Sequence, residues 1–236
     1  GFFGARVSNE SIHFPFLGLD IDADLVALVS PTDTLSSLAL RRSESANGRY
    51  RITSAPVITE DQVHFVVLFE EDHGPAENID QERAYVVTTR QDGEWGVQLV
   101  AVLSESDSAA DAAERAQSVM ALFFDAWNAA DNASIHDQIN FPHVFLLREG
   151  RAAIANGPDE LITDFDAMRE REGWARSEYQ DFEVLYADDA KVIAKLTFTR
   201  HHADGTIYRT VPVVWIFTNQ DGHWGLQLRL ILPALD

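Results

Sequence analysis

The 236-residue chain contains no cysteine. Disulfides, thiolate nucleophiles and Cys-ligated zinc are therefore excluded. Basic residues are scarce, with 18 Lys and Arg against 38 Asp and Glu and a formal net charge of −20. Nucleic acids and anionic membranes are held by basic patches, so neither is an expected partner. The acidic excess describes a solvated surface and does not by itself mark a site. Long apolar runs are missing too: Val213-Val214-Trp215-Ile216-Phe217 falls far short of the roughly 20 residues that span a bilayer. Gly1-Phe2-Phe3-Gly4-Ala5-Arg6-Val7 lacks the charge-then-apolar layout of a signal peptide, and a cytoplasmic location is the expectation. The chain shows no Gly-rich phosphate loop, no nucleophile elbow and no His-Glu-x-x-His spacing, so neither a cofactor nor a metal is expected.

What the chain does have is a core's worth of apolar residues, 46%, and one stretch written twice. Gln220-Asp221-Gly222-His223-Trp224-Gly225-Leu226-Gln227-Leu228 repeats Gln91-Asp92-Gly93-Glu94-Trp95-Gly96-Val97-Gln98-Leu99, 129 positions earlier, with seven of nine residues identical. Each copy reads as the Asp-Gly turn of a β-hairpin and its return strand. The repeat extends outward. Phe14-Pro15 matches Phe141-Pro142, and Ser30-Pro31-Thr32-Asp33 matches Gly157-Pro158-Asp159-Glu160. Val63, Phe65, Val67 and Phe69 match Val192, Ala194, Leu196 and Phe198. Two tandem units, 1–107 and 108–236, are expected, joined at the Ser- and Asp-rich stretch 104–108.

In the first unit a helix should open at Ser30 and Pro31 and end near Arg42, with a turn at Asn47-Gly48. Phe2-Phe3 echoes Phe123-Phe124, and Ser11-Ile12-His13 echoes Ser134-Ile135-His136, as though the unit began midway through a helix. Strands follow near 49–58, 62–71, 82–90 and 95–103. The second unit should open with a long helix capped by Ser108, with Ala112, Ala116, Val119, Phe123 and Ala126 as its buried stripe. A short helix over 134–139, a strand pair at 143–147 and 151–155, and a helix from Pro158 to Gly173 come next. Strands near 177–186, 191–201, 206–219 and 224–232 close the chain. Val211–Phe217 and Phe65–Phe69 are apolar on both alternating faces, which predicts sheets covered on both sides. The fold class expected is α+β: two cone-shaped units, each a curved antiparallel meander with helices on its concave face, the sheets back to back as a pseudo-dimer. A monomer with this internal pair, or a homodimer of it, follows.

Long helix, short helix, strand pair, capped helix and long meander together resemble the nuclear transport factor 2-like superfamily, which includes ketosteroid-isomerase-like and SnoaL-like proteins. The resemblance rests on Phe123-Phe124-Asp125-Ala126-Trp127-Asn128-Ala129-Ala130-Asp131, on Phe141-Pro142-His143-Val144 and on Gln220–Leu228. It covers 108–236 well and 14–103 loosely. It implies a conical cavity for a small apolar ligand; members include isomerases, cyclases, dehydratases and non-catalytic proteins. Ketosteroid isomerases use a first-helix tyrosine and paired acids. Phe124 and Trp127 stand in that neighbourhood here, and His143 follows Phe141-Pro142, so that mechanism does not carry over.

His143 is the leading catalytic candidate, as a general base or as a hydrogen-bond partner of a carbonyl ligand. Arg229 and Gln227, two apart on the last strand, would share a face and polarise a ligand oxygen or hold a carboxylate. Phe124, Trp127 and Tyr179 are the remaining candidate ligand contacts. Tyr179 and Asp181 share one strand face, as an exposed polar pair or an acid–base pair, while Trp95 and Trp224 read as core. His201 and His202 point to opposite strand faces and cannot share a metal. Between the units, Phe16 replaces His143 and Val100 replaces Arg229, while Gln98 matches Gln227. The working pocket should therefore lie in the second unit. Three functions stay open: a module binding an apolar or carbonyl-containing small molecule; a cofactor-free isomerase, cyclase or dehydratase with His143 as base; or a structural or partner-binding module.

Overall fold

A computed structural model describes residues 12–19, 25–28, 49–71, 80–147 and 151–232. The chain divides into two compact units, residues 1–105 with 149–151 and residues 106–148 with 152–236. The expected helix between Ser30 and Arg42, the Asn47-Gly48 turn and the Phe2-Phe3 echo lie outside the described residues.

The first unit forms β1 (Ile12–Leu19), β2 (Leu25–Leu28), β3 (Arg49–Ile58), β4 (Gln62–Glu71), β5 (Asp80–Gln91) and β6 (Glu94–Leu103). These make one six-stranded sheet in the order β2-β1-β6-β5-β4-β3. The second unit begins with α1 (Ala109–Asn128) and α2 (Asn132–His136), then β7 (Ile139–Leu146) and β8 (Ala152–Ala155). After a single 3-10 turn at Pro158–Glu160 come α3 (Phe165–Glu172), β9 (Arg176–Ala187), β10 (Lys191–His201), β11 (Ile207–Gln220) and β12 (His223–Ile231). Its sheet has the order β8-β7-β12-β11-β10-β9.

Both sheets differ from a pure antiparallel meander in the same way. In each, the early strand pair joins the edge of the meander, with β1 parallel to β6 and β7 parallel to β12. The registers agree in detail. Ile12 faces Val97 and Leu17 faces Leu99; Ile139 faces Leu226 and Val144 faces Leu228. Ile12 thus stands where Ile139 does, and its sequence echo of helical Ile135 does not survive. The same frame sets His143 against Phe16 and Arg229 against Val100. The hairpins also agree: Asp92 and Gly93 have φ of 50° and 89°, Asp221 and Gly222 have 51° and 89°. Positive φ at both central residues is what a two-residue turn matched to strand twist requires.

Both copies also share a bulge on the last strand. Phe217 pairs with Leu226 but Ile216 pairs with Leu228, so Gln227 is left unpaired. In the first unit Thr88 pairs with Val97 and Val87 with Leu99, which makes Gln98 the extra residue of the bulge. A bulge shifts the face on which every later side chain emerges.

Helix α1 packs on β9, β10 and β12. Its buried residues are Ala112, Ala116, Val119, Met120, Phe123, Phe124 and Ala126. They meet Val192, Ala194, Leu196, Val213, Trp215, Phe217 and Leu226 in one apolar core. On β11 the intervening Val214, Ile216 and Thr218 are buried as well, so both faces of the strand are covered. The caps differ from expectation. Ser108 makes no side-chain cap bond, whereas Asp131 caps α2 by accepting from the Ala133 and Ser134 amides. The helix expected from Pro158 breaks in two, and Asp164 caps its second part by accepting from the Ala167 amide. Gly173 ends α3 in the left-handed conformation, φ 66°. Trp95 and Trp224 are both half-buried, and Trp224 packs against the second unit's core as expected. No helix among the described residues is long and apolar enough to cross a membrane.

Candidate functional site

The bulge at Gln227 decides where Arg229 points. Counted from the Asp221-Gly222 turn without it, Arg229 would face Val214. With it, Arg229 faces Trp215 on β11 and Phe145 on β7. Trp215 belongs to the core that packs on α1, so Arg229 emerges on the helix side of the sheet. Its guanidinium carbon lies 4.2 Å from the Phe145 ring centre, 5.1 Å from Phe123 and 6.0 Å from Trp215. Phe123 meets Trp215 edge-on at 5.4 Å. A cation set among ring faces is attracted by their quadrupoles.

His143 lies two residues before Phe145, on the same strand face, and is fully buried. Its Nδ1 is 3.0 Å from the Leu226 carbonyl, which can only accept, so Nδ1 carries the proton. The Nε2 lone pair accepts from Arg229 Nε–H at 2.9 Å. Burial, with the Arg229 charge added, holds the imidazole pKa well below its ordinary value. The single lone pair of this neutral ring is thus occupied by a cation. That geometry does not suit the general-base role expected of His143; it suits a bridge that orients Arg229.

Arg229 has no carboxylate partner. Among the described residues its hydrogen bonds end at His143, so no protein group accepts from its two terminal nitrogens, Nη1 and Nη2. The side chain keeps part of its surface accessible, and Nη1 and Nη2 are not among the enclosed polar atoms. Burial lowers its pKa to about 9, which leaves it charged at neutral pH. An unpaired cation half inside a protein is costly, and such groups are ordinarily paired.

Gln227 does not join this group by simple alternation, because it is the bulge residue. It is fully enclosed, and neither of its amide atoms has a hydrogen-bond partner. In the first unit Gln98 accepts from Thr89 Oγ1 at 2.9 Å. The matching Thr218 is taken instead by Asn140, whose Nδ2 donates to Thr218 O at 2.8 Å and Oγ1 at 2.9 Å. The aromatic candidates form a connected wall. Phe124 stacks on Trp215 at 5.8 Å and reaches Tyr179 at 5.0 Å. Trp127 stacks on Phe123 at 5.8 Å and meets Phe165 at 5.1 Å, one ring removed from Arg229. Asp181 has φ 59° beside a register shift in β9, which takes it out of alternation with Tyr179.

Phe123, Phe145 and Trp215 are the site residues that pattern reading missed. The signal for Phe145 was present, two residues past His143. Trp215 needed the bulge.

Other polar groups sit elsewhere. His201 bonds to Thr199 Oγ1 at 2.8 Å, and Glu172 gathers Arg200 and Tyr208. Two shallow hollows of about 360 and 590 Å³ run along α1 beside the last hairpin turn, sharing Asp111, Arg115, Gly222 and Trp224. They are open to solvent and touch neither His143 nor Arg229. Among the described residues no group of three or more His, Asp or Glu could hold a metal.

No protein-family model matches the chain, and no curated protein matches it. Solved structures do. A domain of unknown function with a cystatin-like fold from Nostoc punctiforme is 15% identical over 53% of this chain and 79% of that one, with a TM-score of 0.44. A Catenulispora acidiphila protein in complex with S-DNPA is 19% identical over 49% and 87%, at 0.40. A nuclear transport factor 2-like superfamily protein from Salmonella enterica serovar Typhimurium is 9% identical over 54% and 94%, at 0.41. Each match takes about half of this chain, and what it concerns is fold: the chain is similar to nuclear transport factor 2-like, cystatin-like proteins.

Proposed function

We propose that the two units are tandem copies of one nuclear transport factor 2-like module and that the second binds a small molecule. In this reading the ligand has an apolar body and at least one oxygen, which lies against the free end of the Arg229 guanidinium. The observation that carries the reading is the unpaired, partly accessible Arg229 among Phe123, Phe145 and Trp215. Val100 at the matching place gives the first unit no such anchor, and that unit serves as a structural companion. Catalysis by His143 is not part of the proposal, because its lone pair is committed to Arg229.

The test is a titration of the isotopically labelled protein with benzoate, benzamide and cyclohexanone, following the Trp indole and Arg guanidinium resonances. Saturable shifts at Trp215 and Arg229 are expected for at least one probe. A panel that produces no saturable shift at millimolar concentration removes the reading.

A further inference from the structure

We infer that the ligand of this site is a monocarboxylic acid with a flat apolar body, its carboxylate gripped end-on by Nη1 and Nη2 of Arg229. This rests on the reading that the second unit binds a small molecule, and it adds the charge and shape of that molecule.

The charge follows from what Arg229 lacks. Among the described residues it has no acidic partner, and it is the only charged side chain over the Phe123, Phe145 and Trp215 rings or bonded to His143. A ketone or amide oxygen would fill one donor and leave the positive charge uncompensated. A carboxylate fills two donors and neutralises the charge. With one cation available, one negative charge is balanced.

The mode of approach follows from His143. A guanidinium can meet a carboxylate through its Nε edge or through its two terminal nitrogens. His143 Nε2 already holds Nε at 2.9 Å, so the Nε edge is closed and the terminal fork remains. His143 is in turn held by the Leu226 carbonyl at 3.0 Å. It is therefore a positioning residue: it fixes the plane of the fork without touching ligand. The flat body follows from the rings. Phe145 is half-buried and lies under the guanidinium, its ring centre 4.2 Å from the guanidinium carbon, so a flat body that continues the plane of the fork stays beside aromatic surface.

The experiment compares benzoate with benzamide, which share shape and differ in charge, on the full chain. Wild type should bind benzoate about tenfold or more tightly than benzamide. Arg229→Gln should bring that ratio near one, with its folded state checked by circular dichroism. Arg229→Lys keeps the charge without the fork and should fall between; if Arg229→Gln does not fold, the wild-type and Arg229→Lys ratios decide. His143→Leu should erode the preference. His143→Gln, whose amide can still donate to Leu226 and accept from Nε, should restore it; a merely space-filling role would not give that rescue. Equal binding of acid and amide overturns the acid assignment and leaves a small-molecule module standing, as does binding of cyclohexanone alone. No response to any of the three removes both.

Discussion

Acidification should weaken this protein through two buried histidines, His64 and His143. Each is fully buried and held as a neutral ring. Tyr85 O–H donates to His64 Nδ1 at 2.7 Å, and His64 Nε2–H donates to Gln62 Oε1 at 3.2 Å. Burial depresses the His64 pKa from 6.5 to about 3 and pushes the Tyr85 phenol up, which keeps it protonated. His143 is depressed for the same reason, with Arg229 adding to it. Between the folded and unfolded pKa values the unfolded chain holds a proton that the folded chain refuses. Stability therefore falls as pH drops through 6.5, and for His64 it levels off only near pH 3. Between pH 6.5 and 5 His64 should cost about 1–2 kcal/mol, and over its whole window up to about 5 kcal/mol, with His143 adding a loss of the same sign. Glu172, whose carboxyl is desolvated but held below its ordinary pKa by Arg200 and Arg209, loses stability with the same sign only once pH falls below about 4.5. The interval above pH 5 thus isolates the histidines. Urea unfolding at several pH values for wild type, His64→Gln and His143→Gln reads the slope directly. Should the units melt separately, the first unit's transition reports His64 and the second unit's reports His143. A slope that is the same in both variants as in wild type would refute the reasoning.

Gly225→Ala should destabilise by about 1–3 kcal/mol, because its Cβ would lie 2.6 Å from Asn140 Oδ1 and 2.9 Å from the Asn140 backbone nitrogen. Denaturant melts should show a smaller cost in an Asn140→Ser background, where the side-chain part of the clash is relieved. Asn128→Ala should cost about 2–3 kcal/mol, since its amide both donates to Ser177 O and accepts from Ser177 N, tying the end of α1 to β9; calorimetry reads the loss. Phe123→Ala should cost about 3–5 kcal/mol and also weaken benzoate binding, because it removes a core ring and a neighbour of Arg229 together. Val100→Ala should lower the melting temperature while leaving benzoate affinity unchanged, and a titration beside a thermal melt separates the two.

Much of the fold was legible because the repeat spells out its own turns. Asp92-Gly93 and Asp221-Gly222 mark hairpins through a local backbone need, and alternation fixes β4, β6, β10 and β12 to within a residue or two. The parallel pairing of β1 with β6 and of β7 with β12 was not legible, since no local residue preference distinguishes a parallel partner from an antiparallel one. The stretch after Pro158 read as one helix because Pro158, Leu161, Phe165 and Met168 fit helical spacing. The chain instead stops after one turn and restarts at the Asp164 cap. At the site, His143 and Arg229 stood out as ionisable residues in apolar strands with no counterpart in the first unit. Their bond to each other depends on the unpaired Gln227, and strict two-residue alternation cannot anticipate that. The same irregularity is why Gln227 itself, expected beside Arg229, lies sealed without a partner.

The extra residue at Gln227 works as a one-step phase correction, and it has a twin at Gln98. Were Gln227 instead paired with Ile216 in plain alternation, Arg229 would turn toward the side where Val214 lies. Because the twin is present where no guanidinium needs aiming, the offset belongs to the scaffold and not to the chemistry mounted on it. Writing arginine at Val100 would therefore give the earlier sheet a guanidinium in the corresponding orientation, opposite Val86, with no backbone change.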